Sequence, residues 1–370
     1  TRSGPQSRGL GDVYKRQAEV LRGVQGGEFN TLRRARGVFG LVSVFESQGE
    51  IRVTIGSDKL GVRPLYYWSD GSLLVVSTTL RVIERLSLIR KFCDKRGIAE
   101  TIAFGYPLSN RTQYLDIYRI GAGEVVTFRA DDVSKFQYWR WDSIGTDRTN
   151  TEERTREAFR LFTDSVRIRQ DGKNSALAFL SGGMDSRAIV GALRANDIPV
   201  TTLNFSPDGS QDQVLAAEIA SKLRCDHIQM SHDGGDLTTF RPDLAMLYSS
   251  LINDGRVAGN ERKIWSGDGG SVALGTVHLD ETIVVDMRKG DYIKATRRYR
   301  LENSIGLPLR TMTASERSWH LDYLLYCILG EIALLEHEDP AQNLFLFLML
   351  NDQQRHLDDM YEEDAEHRLS

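Results

Sequence analysis

Cysteine is scarce in this chain, and the three that occur in its 370 residues, Cys93, Cys225 and Cys327, stand alone without the spacing of a metal-ligand set or a redox pair. That excludes a cysteine-built metal or redox centre and suits a reducing, cytoplasmic setting. Long apolar runs are lacking too. The longest, 344–350, is far too short to cross a bilayer, and the apolar stretch 323–335 is interrupted by Glu331. The sequence opens on no charged-then-apolar export signal, so neither a membrane nor an exported location is expected. A formal net charge of −4 with dispersed charges leaves no basic stripe for nucleic acid. Internal repeats and low-complexity segments are absent. What remains is a chain long enough for two domains, each with its own core.

Residues 1–17 are polar and without periodicity, and read as a disordered or non-native leader. From 38 to 77 the pattern is β: segments 38–45, 51–57 and 73–77 alternate apolar residues between turns at Gln48-Gly49 and Asp70-Gly71. A short helix is expected over 79–85 and a strand over 124–128. The polar segment 129–150, with its Tyr138-Trp139-Arg140-Trp141 cluster, reads as an inter-domain crossover. Beyond Thr151 helices (153–169, 185–195, 211–223) alternate with strands (176–180, 200–205, 226–230). A repeated β-α-β pattern implies a parallel sheet covered by helices on both faces, with ligands at the carboxyl ends of its strands. The C-terminal third reads as mainly helical, chiefly over 315–336 and 340–352.

One strand end carries most of the functional information. The stretch Leu177-Ala178-Phe179-Leu180-Ser181-Gly182-Gly183-Met184-Asp185-Ser186 runs from an apolar strand through a Ser-Gly-Gly turn into a helix. Two glycines allow successive N–H groups to converge on an anion at a helix N-terminus, where the dipole favours negative charge. Ser181 and Ser186 add hydroxyls, and Asp185 adds a carboxylate able to hold Mg²⁺ against phosphate oxygens. No Lys follows the glycines, so the loop is not that of kinases and GTPases. The bland alternative is a connection in which Asp185 or Ser186 only caps the helix.

Two more strand ends should face the same pocket. Ser206-Pro207-Asp208-Gly209-Ser210-Gln211-Asp212 sets Asp212 at a helix start, as an N-cap or as a nucleotide or metal contact. Ser266-Gly267-Asp268-Gly269-Gly270-Ser271 is a second glycine-rich turn after a strand, with Asp268 as an acid candidate.

The Ser181 loop resembles that of the ATP pyrophosphatases. Taken in order with Gly209-Ser210-Gln211-Asp212, Ser266-Gly267-Asp268-Gly269-Gly270 and the upstream Asp58-Lys59-Leu60-Gly61-Val62-Arg63-Pro64-Leu65-Tyr66-Tyr67, it resembles the glutamine-hydrolysing asparagine synthetase family from about Ala18 to the C-terminus. The resemblance implies an α/β protein. Residues 18–140 would be a partial class II glutamine amidotransferase domain, a remnant of an Ntn-type β-sandwich. Residues 141–370 would be a doubly wound, parallel-sheet ATP pyrophosphatase domain of adenine nucleotide α hydrolase-like type. It also implies that Ser181, Gly182, Gly183, Asp185 and Ser186 hold pyrophosphate, that Asp185 and Asp212 hold Mg²⁺, and that Leu180, Phe205, Ser266 and Gly267 line the adenosine pocket. Asp268, with Asp185, would serve catalysis.

Three departures qualify these expectations. The family's glutaminase nucleophile is an N-terminal Cys, whereas this chain begins Thr1-Arg2, and Gln17 stands where a glutamine-binding Asp should precede Ala18-Glu19-Val20. The front of the amidotransferase domain therefore reads as absent, and the chain alone is expected not to hydrolyse glutamine. Ser271 replaces a second acid after Asp268. The chain also stops before the Pro-Phe-x-Asp element, so the synthetase domain reads as C-terminally incomplete.

The implied reaction adenylates a carboxylate, aspartate by default, with ATP and Mg²⁺, and lets ammonia from glutamine displace AMP. The partners expected are a small-molecule carboxylate, glutamine or ammonia, and a second copy in a homodimer. Two alternatives are an amidotransferase or amide-forming cyclase acting on another carboxylate in natural-product or glycan synthesis, and a non-catalytic nucleotide-binding relative.

Overall fold

The computed structural model describes residues 10–130, 132–170, 174–231, 249–255, 264–267, 269–270, 279–303 and 312–355. Helix α1 (Leu10–Gln25) begins inside the segment read as a leader, of which 1–9 lie outside the described residues. Its C-terminal half explains the difference: Val20 and Val24 pack with Leu32 of α2 (Asn30–Arg34), Leu41 and Tyr138. β1 (Gly40–Ser47), β2 (Glu50–Ser57), β3 (Tyr66–Ser69) and β4 (Leu74–Ser77) follow, then α3 (Leu80–Arg85), α4 (Lys95–Phe104), β5 (Ile117–Arg119), β6 (Glu124–Arg129) and β7 (Asp132–Gln137). They form two antiparallel sheets, β1-β2-β6-β7 and β4-β3-β5.

Alternation sorts the strand residues into layers. Ile55, Val126 and Phe128 of the first sheet pack with Tyr67, Leu74 and Val76 of the second. Leu41 and Val125 turn the other way, onto α1 and α2, and Tyr66 and Ile117 turn outward onto Ile83 of α3. The order of layers is helix, sheet, sheet, helix. Strand β7 lies in the segment read as crossover. Every residue of it is exposed, so no apolar alternation marks it, and it exists by pairing along β6.

The Asp58 to Tyr67 motif is a structural knot in this unit. The Asp58 carboxylate accepts the N–H groups of Phe39, Leu60 and Val62 at 3.2, 3.0 and 3.1 Å. Gly61 adopts φ +64, and the buried Arg119 and Gln354 donate to its carbonyl at 2.7 and 3.2 Å.

Residues 147–274 form a separate compact unit. It contains α5 (Thr151–Gln170), β8 (Ala176–Phe179), α6 (Met184–Ala195), β9 (Val200–Ser206), α7 (Gln211–Lys222), β10 (Asp226–Ser231) and β11 (Ile264–Trp265). The sheet is parallel throughout, in the order β10-β9-β8-β11. Ala176, Ala178 and Leu180 pack with apolar residues of α5, α6 and α7, while Leu177 and Leu203 pack with Leu251 on the other face. No helix among the described residues is long and apolar enough to cross a membrane.

The remaining helices, α8 (Glu281–Lys289), α9 (Tyr292–Asn303), α10 (Ala314–Ala333) and α11 (Pro340–Leu348), were grouped by sequence with the parallel-sheet segment. They pack instead in the unit of residues 8–146. Ala103, Phe104 and Leu108 join Ile283, Met287, Tyr299, Leu324, Ile328 and Phe347 in one core. Caps set the ends: Thr313 and Glu316 make a capping box for α10, and Asp339 caps α11 with Pro340 following.

Two imidazoles, the buried His320 and the half-buried His227, make stability pH-dependent. Burial holds His227 and His320 below the ordinary histidine pKa, with Arg300 adding to the effect at His320. Neither Nε2 has a hydrogen-bond partner among the described residues. A depressed histidine binds fewer protons folded than unfolded. Its contribution is therefore present above the ordinary value of 6.5 and is lost as pH falls through it toward the folded pKa. The melting temperature should be lower at about pH 5.5 than at about 7.5, and His320→Gln should flatten that slope. An unchanged slope in thermal melts would count against a neutral, buried His320.

Candidate active site

Strand β8 has β9 on one side and β11 on the other, and the chain reaches β9 and β10 before returning to place β11 at the opposite flank. That makes the β8/β11 boundary a topological switch point, where the carboxyl ends of parallel strands open a crevice. The Ser181 turn follows β8 and the Ser266-Gly267 turn follows β11, so the two glycine-rich motifs meet at this crevice.

Their contact is close. A Cβ built on Gly267 would lie 2.5 Å from Ser186 N and 2.8 Å from Asp185 C, and one on Gly270 would lie 2.7 Å from Asp185 Cγ. Only glycine fits where the second turn crosses the start of α6. Gly183 occupies the N-cap of α6 and supplies no side-chain acceptor, so the positive end of the helix dipole is uncapped by a side chain. Ser186 is buried, and its Oγ accepts Ser181 N–H and pairs with Ser181 Oγ, both at 3.1 Å. Gly183 N–H donates to Ser181 Oγ at 3.1 Å, and Gly182 N–H donates to Asp212 Oδ1 at 3.2 Å.

The third motif joins through that last bond. Asp212 is not the N-cap of α7; Ser210 is, accepting Gln213 N–H at 3.3 Å. Asp212 sits in the first turn and reaches back to the loop. Asp185, Asp212, Ser181, Ser186, Gly182, Gly183 and Gly267 are thus brought together. Asp268, Ser271 and Val272 lie outside the described residues.

Leu180 does not bring its side chain to this group of residues. It is 1 % exposed in the core under α5 and α6, with its N–H on Leu203 O at 2.8 Å and its carbonyl accepting Asn204 Nδ2 at 2.7 Å. The period of a strand is the reason: Phe179 and Leu180 face opposite sides of the sheet. Phe179 is the residue that partners Phe205, ring edge to face at 5.8 Å, and both are half-buried. The two rings present aromatic faces, whereas the Leu180 side chain is closed in the core.

Asn204 escaped the sequence reading. It is 3 % exposed, its amide occupies the Leu180 carbonyl where β8 leaves the sheet, and its Oδ1 accepts the Ser206 hydroxyl. A lone amide inside an otherwise apolar and hydroxyl-bearing strand was the available signal, since buried amides need partners.

Among the described residues no three His, Cys, Asp or Glu are grouped to hold a metal. The donor set is two carboxylates, half-buried Asp185 and exposed Asp212, beside an anion-binding turn. That chemistry fits Mg²⁺, a hard cation commonly held by one or two carboxylates together with substrate phosphates.

Comparison with known proteins gives two family matches: a glutamine amidotransferase domain over residues 18–139 and an asparagine synthase domain over 157–256. The putative glutamine-hydrolysing asparagine synthetase 2 of Methanocaldococcus jannaschii is 31% identical over 143 residues, 37% of this chain and 27% of that protein. Asparagine synthetase 3 of Bacillus subtilis is 29% identical over 137 residues, 36% of this chain and 22% of that protein. The matched region thus spans about a quarter of the length of these relatives. Among solved structures, the ammonia-dependent NAD synthetase of Campylobacter jejuni is 12% identical, covering 46% of this chain and 93% of that one, at a TM-score of 0.24.

Proposed function

This chain belongs to the asparagine synthetase family as a divergent member, and on that premise we propose that it is an ATP-dependent amide ligase that works in the cytoplasm. A substrate carboxylate oxygen attacks the α-phosphorus of ATP, the bond to the β-phosphate oxygen breaks, and pyrophosphate leaves. Ammonia then attacks the acyl carbon, the bond to AMP breaks, and one proton is released. The match of residues 18–139 to glutamine amidotransferases, and the layered sheets they form, support glutamine as the ammonia source and an Ntn-type origin for that segment.

The observation that carries this reading is the contact of Gly267 and Gly270 with Ser186 and Asp185 at the switch point. It puts an uncapped helix N-terminus, two serine hydroxyls and a carboxylate around one small space. Loop N–H groups and the Ser181 and Ser186 hydroxyls stabilise charge that builds on departing pyrophosphate. Asp185, with Asp212, would hold Mg²⁺, which when bound neutralises phosphate charge. Phe179 and Phe205 would seat the adenine, with Ser266 and Gly267 beside them. Asp268 would orient the amine and accept its proton.

Aspartate is the default acceptor. Ser271, standing where the family has an acid, favours a second reading in which another carboxylate is amidated or cyclised. Pyrophosphate release with MgATP and a panel of carboxylates tests both. Asp185→Ala should reduce the rate by about a hundredfold or more. Equal rates in the variant would refute the site, and the acceptor that drives release identifies the substrate.

A further inference from the structure

All three N–H groups of the Ser181-Gly182-Gly183 turn already have acceptors, and the three are not alike. Ser181 and Gly183 donate to the hydroxyls of Ser186 and Ser181. Hydroxyls rotate, and can give up that role while donating to an arriving anion themselves. Gly182 donates to a full carboxylate, Asp212 Oδ1, carried in from another helix. An anionic group thus occupies the central donor of a turn built for anions, and the packing is tight: a Cβ on Gly182 would sit 2.7 Å from that oxygen.

We propose that Asp212 sets the loop's specificity by occupying the Gly182 N–H, so that a bare polyphosphate must displace it whereas a polyphosphate carrying a divalent cation gives it a new partner. This rests on the reading of the loop as a pyrophosphate site. Two anionic oxygens cannot share one N–H donor without mutual repulsion, and a charge-assisted bond is not surrendered freely. The carboxylate is exposed on the first turn of α7, so it can swing away without disturbing the core. α7 keeps its own cap, Ser210, which leaves Asp212 free of a capping duty. Asp208, nearby in sequence, instead accepts Gln213 Nε2 at 3.1 Å and has no bond to the turn.

The test is calorimetric binding of inorganic pyrophosphate to the full chain, in EDTA and in MgCl₂, for the unaltered protein, Asp212→Asn and Asp208→Asn. Far-ultraviolet circular dichroism checks that each is folded. In EDTA, Asp212→Asn should bind about tenfold tighter than the unaltered protein, from relief of like-charge competition. Asp208→Asn should change affinity by less than about twofold. In MgCl₂ the advantage of Asp212→Asn should vanish or reverse. Binding in EDTA that is equal or weaker in Asp212→Asn overturns this inference while leaving the loop assignment standing. An equal gain in Asp208→Asn also overturns it, because the effect is then general electrostatics. Absence of binding by every protein, with or without metal, overturns the loop assignment and this inference together.

Discussion

Glu100→Ala should lower the unfolding free energy of the unit built from 8–146 and the C-terminal helices by about 3–5 kcal/mol, the usual cost of removing one partner of a buried ion pair. Glu100 is fully buried. Its carboxylate accepts Leu108 N–H at 2.8 Å, Arg111 Nε at 2.9 Å, Tyr323 hydroxyl at 2.5 Å and Cys327 Sγ at 3.1 Å. Arg111 also reaches Glu331 at 3.1 Å. One carboxylate on α4 therefore gathers groups from the 105–116 loop and from α10, more than two hundred residues later in the chain. Alanine would leave the buried Leu108 N–H without its acceptor, at a cost of about 1–3 kcal/mol, and would also remove the acceptor of the half-buried Tyr323 hydroxyl. Set against a total of about 5–15 kcal/mol for a domain, this is a large fraction. Denaturant unfolding, followed by the fluorescence of Trp319 stacked 5.2 Å from Tyr323, reads it. A second readout is chemical: the Cys327 thiol is pushed up to about 12 by burial first and by the Glu100 charge second, so its reactivity should rise in the variant. A change below about 1 kcal/mol would mean that Arg111 and Glu331 carry the joint alone.

That cluster also shows where sequence reading stops. Glu100, Arg111 and Cys327 had no pattern in common, and Cys327 read as isolated because its partners are brought near only by the packing of α10 on α4. The same holds for Gln354 and the Gly61 carbonyl, a pair separated by 293 positions. The parallel-sheet unit was more legible. Its β-α-β periodicity and glycine-rich turns are local signals, and the turns at Ser181, Ser210 and Ser266 follow β8, β9 and β11. Legibility failed there in two ways. The two faces of β8 were not separated, so the burial of the Leu180 side chain beneath the helices went unread, and Asn204 left no mark except a polar residue in a buried strand. Strand β7 was missed for the opposite reason: it buries nothing, and pairing along β6 is a property of the partner strand.

Gly267→Ala should abolish most of the proposed activity with little loss of global stability. The added methyl would meet Ser186 N at 2.5 Å, Asp185 C at 2.8 Å and Ser186 Cα at 2.9 Å. All three are backbone atoms, so no side chain can turn aside. The clash must move either the second turn or the first turn of α6, the segment that carries Ser186 and Asp185. Displacing such a group by about 1 Å is enough to cost about a hundredfold in rate when positioning is the main contribution. Gly191→Ala is the matched control. It lies in the middle of α6, nothing stands within 4 Å of its added Cβ, and alanine there should stabilise the helix by up to about 1 kcal/mol. The two substitutions add the same methyl group to the same unit, one at the crevice and one away from it. Pyrophosphate release measured for both separates the site from the fold. A collapse in Gly267→Ala with a normal rate in Gly191→Ala locates the chemistry where the two glycine turns cross. An active Gly267→Ala would mean that the crossing is packing alone and that the reacting phosphates lie elsewhere.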